Sequence, residues 1–161
     1  MDTVRLGRTN IIVNKNGFGA LPIQRVSMEE AVRILRKAYD NGINYYDTAH
    51  VYSDSEEKLG RALGDVRDDI IISTKAMTTT AEGFWSQLHT SLKRLRTDYI
   101  DIYQFHNPAF VPKPDDGSGL YEAMLEAREQ GVIRHIGITN HRLAVAEEAV
   151  RSGLYDTLQF P

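Results

Sequence analysis

Apolar residues along the chain follow two alternating spacings. Short β-branched and aromatic runs occur at Ile43-Asn44-Tyr45-Tyr46, Ile70-Ile71-Ile72, Tyr99-Ile100-Asp101-Ile102-Tyr103, Ile133 to Ile138 and Thr157-Leu158-Gln159-Phe160. Between them, apolar positions recur with the period of an amphipathic helix. Ser27-Met28-Glu29-Glu30 matches a capping box ahead of the face Ala31, Ile34, Leu35 and Ala38, and Asn41-Gly42 stops that helix. Ser53-Asp54-Ser55-Glu56 matches a second box, with a stop at Gly64. Thr79-Thr80-Ala81-Glu82 opens a third helix with the face Phe84, Trp85, Leu88, Leu92 and Leu95. Leu120 to Gln130 and Leu143 to Arg151 make two more, each followed by a glycine.

The markers Ile43, Ile70, Ile100, Ile133 and Leu158 recur every 25 to 33 residues. That interval holds one strand, one helix and two short loops. A strand at about Gly17 to Ala20 precedes the first helix, and Val4-Arg5-Leu6 with Ile11-Ile12-Val13 flank Gly7-Arg8-Thr9-Asn10 as a hairpin. The count is six strands and five helices after that hairpin, an α/β succession with a parallel sheet. The first strand-helix turn, Gly17-Phe18-Gly19-Ala20-Leu21-Pro22, lacks the third glycine of a dinucleotide-binding open sheet. The expected fold is therefore a TIM (β/α)₈ barrel in partial form: hairpin 1–14, then βα units one to five plus strand six over 15–161. A complete barrel takes about 250 residues, so the sequence reads as an N-terminal portion. Two open sheet edges and an apolar inner face would then need a partner, with self-association through the exposed barrel edges as one outcome.

Composition narrows the function classes. The 161 residues carry 19 Lys+Arg against 22 Asp+Glu, with no basic run, which argues against a nucleic-acid partner. Absence of cysteine removes disulfides, thiolate metal sites and a cysteine nucleophile. Met1-Asp2-Thr3-Val4-Arg5 leads into no apolar stretch, and no run is long enough to span a bilayer, so no membrane partner and a cytoplasmic setting are expected.

Chemistry in such barrels gathers at the C-terminal strand ends. Those positions hold Asp47, Lys75, His106 and Thr139-Asn140, with Gln159 in the sixth strand and Tyr52 in the loop after Asp47. Singly, each has an ordinary structural explanation: a cap, a covered core histidine, a loop aromatic. Together they bring a phenol, an ammonium, a carboxylate and an imidazole to one mouth. A lysine there requires a carboxylate, which Asp47 supplies. Its charge is expected to lower the Tyr52 pKa, giving a set suited to proton transfer at an oxygen. His50 and His141 lie in loops near the mouth, His89 on a polar helix side and His135 at a strand edge, with no metal-ligand spacing among them. The pairs Glu29-Glu30, Glu56-Glu57, Asp68-Asp69 and Glu147-Glu148 read as solvated.

Gly42-Ile43-Asn44-Tyr45-Tyr46-Asp47-Thr48-Ala49-His50-Val51-Tyr52, continued by Ser55-Glu56-Glu57-Lys58-Leu59-Gly60, closely resembles the aldo-keto reductase family. Ile72-Ser73-Thr74-Lys75, the run Asp98 to His106 and the run Gly131 to Asn140 resemble three later motifs of that family in order. The resemblance implies an NADP(H)-dependent reductase of a small-molecule carbonyl substrate. Tyr52 would be the general acid, Lys75 its activator, Asp47 the holder of Lys75 and of the cofactor's surroundings, and His106 the orienter of the carbonyl. Thr139, Asn140 and Gln159 would hold the nicotinamide carboxamide, and the backbone at Gly19 to Leu21 would face the cofactor. Gln104 departs from an apolar expectation two residues before His106; it fits either an altered substrate environment or a bond to a neighbouring layer. The resemblance also admits a nicotinamide-binding regulatory subunit, and the chain alone is expected to turn over poorly.

Overall fold

The computed structural model describes residues 2–161. Strands β1 (Thr3–Arg5) and β2 (Ile12–Asn14) form the antiparallel hairpin. Six parallel strands follow in the order of the chain: β3 (Phe18–Gly19), β4 (Tyr45–Asp47), β5 (Ile71–Ala76), β6 (Ile100–His106), β7 (Ile133–Thr139) and β8 (Thr157–Gln159). The helices between them are α1 (Met28–Asp40), α2 (Ser55–Leu63), α3 (Ala81–Leu95), α4 (Leu120–Glu129) and α5 (Leu143–Ser152). This is a curled half-barrel with its helices outside, as the spacing predicts.

Local chemistry explains the helix starts. Ser27 caps α1 by accepting from the Glu30 N–H, and Ala31 and Leu35 bury its face. Thr80, one residue later than the box suggests, caps α3 by accepting from the Gly83 N–H. The second box does not form. Ser53 sits at positive φ outside the helix, Asp54 is the N-cap without a side-chain cap bond, and Ser55 turns inward to donate to Ala20 O at 2.9 Å.

Alternation along each strand separates two environments. Tyr46, Ile72, Tyr103, Phe105, Ile136 and Ile138 face the helices and form the main core with Leu35, Leu59, Phe84 and Leu88. The opposite face looks into the half-barrel. Its lower part is covered: Ile11 and Val13 of the hairpin pack on Ile102, with Tyr45 and Ile71 beside them. Arg8 pins the hairpin to the far side of the sheet by donating to Gly153 O and Tyr155 O at 2.9 and 2.8 Å. The expected apolar inner face is thus closed at the bottom by the chain's own N-terminal hairpin, and above that layer the face is polar. The edges of β3 and β8 have no strand partner among the described residues, and no helix among them is long and apolar enough to cross a membrane.

Candidate active site

Strand register builds the site. Asp47 pairs with Ser73, Lys75 with Gln104, and His106 with Thr139, which pairs with Gln159. From β4 to β6 each step across the tilted sheet advances two residues, and from His106 to Thr139 and Gln159 the register is level, so all of these side chains keep the same inward parity and gather at one rim. The loop after β4 stays attached to β5, with Thr48 N–H donating to Ser73 O at 2.9 Å and His50 N–H to Lys75 O at 3.1 Å. It then turns, Tyr52 N–H to Ala49 O at 3.0 Å, which lays the Tyr52 ring over the mouth.

A cavity of about 210 Å³ opens at this rim, and its walls include Tyr52, Lys75, His106, Thr139, Asn140 and Gln159. His141, placed near the mouth by sequence, also lines it, with Phe160 and Pro161. Asp47 lies one layer beneath. Its Oδ2 accepts from Lys75 Nζ at 2.6 Å, and the same ammonium donates to Thr48 O at 2.6 Å. Ser73 Oγ donates to the other Asp47 oxygen and accepts from Tyr45 OH at 3.1 Å. Gln104 reaches the Asp47 carboxylate and Gln159 Oε1, both at 3.4 Å, so its inward amide bridges layers of this network. Gly137 makes room for it: a Cβ there would stand 2.7 Å from Gln104 Cγ.

The electrostatics differ from expectation in one respect. The Tyr52 pKa is raised, first by burial and then by the Asp47 carboxylate. The Lys75 ammonium, 5.3 Å from the ring centroid and already paired with Asp47, does not offset these two effects. Burial in turn lowers the Lys75 pKa, against the opposing pull of Asp47. His106 is pushed down to about 4 by burial and then by the Lys75 charge, so its ring is neutral at pH 7. Its Nδ1 is buried without a partner, and the ring packs edge-on to Tyr52 at 5.7 Å. Such unsatisfied polar atoms are uncommon in native structures, and this one lies in the cavity wall.

The four cofactor expectations fare differently. Thr139 Oγ1 accepts from Asn107 N–H at 3.0 Å and keeps its own proton free. Gln159 is held only by 3.4 Å contacts. The Asn140 amide is committed to its loop, donating to Pro108 O at 2.8 Å and accepting from Arg142 N–H at 2.9 Å. The Gly19–Leu21 backbone is not part of this cavity, and Ala20 N–H is bonded to Asp47 O at 2.8 Å.

The reading of Glu56-Glu57 as a solvated pair is half wrong. Glu57 is exposed, but Glu56 is fully buried behind the sheet, accepting from Thr74 Oγ1 at 2.7 Å and Arg94 Nη1 at 3.4 Å. Ser73 and Glu56 are the residues near the site that sequence reading passed over. For Ser73 the signal was its parity with Lys75 on the same strand.

Residues 15–159 match the model of the Aldo/keto reductase family. An oxidoreductase of Bacillus subtilis (strain 168), YqkF, is 34% identical over 91% of this chain and 51% of its own. Methylglyoxal reductase DkgA of Escherichia coli (strain K12) is 33% identical over 76% of this chain and 45% of its own. The chain therefore spans about half the length of these curated relatives. Among solved structures, aldo-keto reductase AKR11C1 from Bacillus halodurans in its holo form superposes with a TM-score of 0.86 at 30% identity, covering 99% of this chain and 57% of that one.

Proposed function

The chain belongs to the aldo-keto reductase family, and on that premise we propose that its cavity is the reducing centre of an NADP(H)-dependent carbonyl reductase in which Tyr52 is the general acid. The observation that carries this reading is the meeting of a phenol, an ammonium backed by a carboxylate, and an unpartnered imidazole around one opening. A relative named methylglyoxal reductase fits a small aldehyde or ketone as substrate.

The donor set suits a nicotinamide. A carboxamide needs one donor and one acceptor; the loosely held Gln159 amide offers both, and the Thr139 hydroxyl has a proton to give. Asn140 contributes by fixing the loop beneath them. When bound, the cofactor supplies hydride to the carbonyl carbon. The chain's own groups handle the oxygen. The neutral His106 ring has one N–H to donate to it, which fixes its position. Tyr52 holds its proton at neutral pH and passes it to that oxygen as negative charge develops: the phenol O–H bond breaks and the alcohol O–H bond forms. The resulting phenolate is favoured by the Lys75 ammonium, which Asp47 and Thr48 O keep in place. Burial and Asp47 keep the acid loaded at neutral pH, and the ammonium offsets part of the cost of the phenolate left after the transfer.

NADPH consumption with a panel of small aldehydes and ketones tests this. Tyr52→Phe is expected to lower kcat/KM by about 10²–10⁴-fold, the usual share of a positioned acid. Equal rates for variant and wild type would overturn the assignment.

A further inference from the structure

The proposed centre needs Lys75 charged and Tyr52 fixed, and both requirements lead to one residue outside the cavity. Glu56 of α2 lies on the helix side of the sheet, fully buried. One of its oxygens accepts from Thr74, the residue before Lys75 on β5. The other accepts from Arg94 of α3, and the same Arg94 nitrogen donates to the His50 carbonyl at 3.2 Å, two residues before Tyr52. The strand bearing the ammonium and the loop bearing the phenol are therefore joined through one carboxylate.

Its seclusion is built in. One turn along α2, a Cβ at Gly60 would overlap the backbone carbonyl of Arg94, so α2 and α3 touch main chain to main chain beside the fully buried carboxylate. The carboxylate has a single cation at 3.4 Å, and His50 Nδ1 stands 4.0 Å away without a hydrogen bond. Tyr103 OH, also buried, feels the same charge. A carboxylate so weakly solvated acts on its neighbours at longer range than a surface one. On Lys75 it works in the same direction as Asp47, favouring the ammonium. The groups facing Lys75 on the mouth side are Asp47, Tyr52 and His106.

We propose that Glu56 is a positioning residue of the reducing centre, a second carboxylate behind the strand that keeps Lys75 in its ammonium form and anchors the Tyr52 loop through Thr74, Arg94 and the His50 carbonyl. The proposal rests on Tyr52 and Lys75 being the acid and its support.

The test follows Lys75 by NMR titration of ¹³C-labelled lysine in the protein without cofactor or substrate. Glu56→Gln keeps the side chain's shape, one acceptor oxygen for Arg94 and an amide N–H that the Thr74 hydroxyl can accept, and removes the charge; the Lys75 midpoint is expected to fall by about half a unit or more. Thr74→Val removes one hydrogen bond and leaves the charge, so the midpoint stays. Arg94→Met unmasks the carboxylate, and the midpoint rises. With turnover as a second readout, Glu56→Gln lowers kcat and leaves the carbonyl KM unchanged. A Glu56→Gln midpoint equal to wild type, or a Thr74→Val shift as large, would mean that Glu56 is only a packing group. If Glu56→Gln does not fold, Arg94→Met decides, and an unchanged or lowered midpoint overturns the proposal. Failure of Tyr52→Phe to lose turnover would sink the acid assignment alone, since the titration is read without it.

Discussion

Two buried ion pairs occupy opposite ends of the same sheet, and they are built differently. At the base, Arg67 donates to Thr97 Oγ1, Ile70 O, Tyr99 O and Asp101 Oδ2, all within 3.1 Å. Asp101 also accepts from Ile72 N–H at 3.0 Å, and the Tyr99 ring is sandwiched between the guanidinium groups of Arg67 and Arg134 at 4.0 and 3.8 Å. The rigid fork of an arginine is spent entirely on the fold. At the rim, Lys75 has two partners at 2.6 Å and faces a cavity beside a phenol and a histidine nitrogen with no partner at all. Burial alone does not distinguish the two pairs. Saturation does: bonding capacity left over at the rim is capacity available to a ligand.

Removing each cation or its partner separates the two roles most sharply. Lys75→Met is expected to cost about 10²–10⁴-fold in turnover. Its stability cost should stay below about 2 kcal/mol, because Asp47 keeps Ser73, Gln104 and Gln159 as donors. Asp101→Ala should do the reverse. It leaves a guanidinium whose side chain is 9% exposed with neutral acceptors alone and no counter-charge, and breaking such a pair costs about 3–5 kcal/mol. Turnover per folded molecule should be unchanged. Urea denaturation alongside NADPH consumption reads both numbers, and matching profiles for the two variants would erase the distinction.

How much of this was legible beforehand follows from the range of the interactions. The strands and helices were readable because apolar periodicity is local, and Asp47, Lys75, His106 and Thr139 were readable because strand ends in a parallel barrel converge on one rim. Tyr52 came with the spacing of its loop. Three features were not readable. The burial of Glu56 depends on α2 and α3 meeting at Gly60 and on a guanidinium 38 residues away; a Ser-x-x-Glu pattern gives no hint of it and suggests a cap instead. The covered inner face depends on where the hairpin docks, which Arg8 decides through carbonyls more than 140 residues on. The direction of the Tyr52 shift depends on whether Lys75 is already paired, a matter of distances and not of residue types.

The rim differs from the base in one further way that pH can expose. His106 is neutral in the fold down to about pH 4, whereas an unfolded histidine takes up its proton near 6.5. Between those values the unfolded chain binds more protons, so stability is fully present above 6.5 and is lost as pH falls through about 4. After allowance for solvent screening of a partly exposed ring, the loss should be about 1–2 kcal/mol. Carboxylates also titrate at the lower end of that window, so the comparison is between wild type and His106→Gln, whose unfolding midpoints in urea should converge as pH falls and separate as it rises. Asp101→Ala, altered at the base, should keep the wild-type dependence on pH. Parallel curves for wild type and His106→Gln would mean that the imidazole charges freely in the fold. The spare nitrogen at the rim would then be a solvated group, and the contrast between a saturated base and an unsaturated mouth would rest on Lys75 alone.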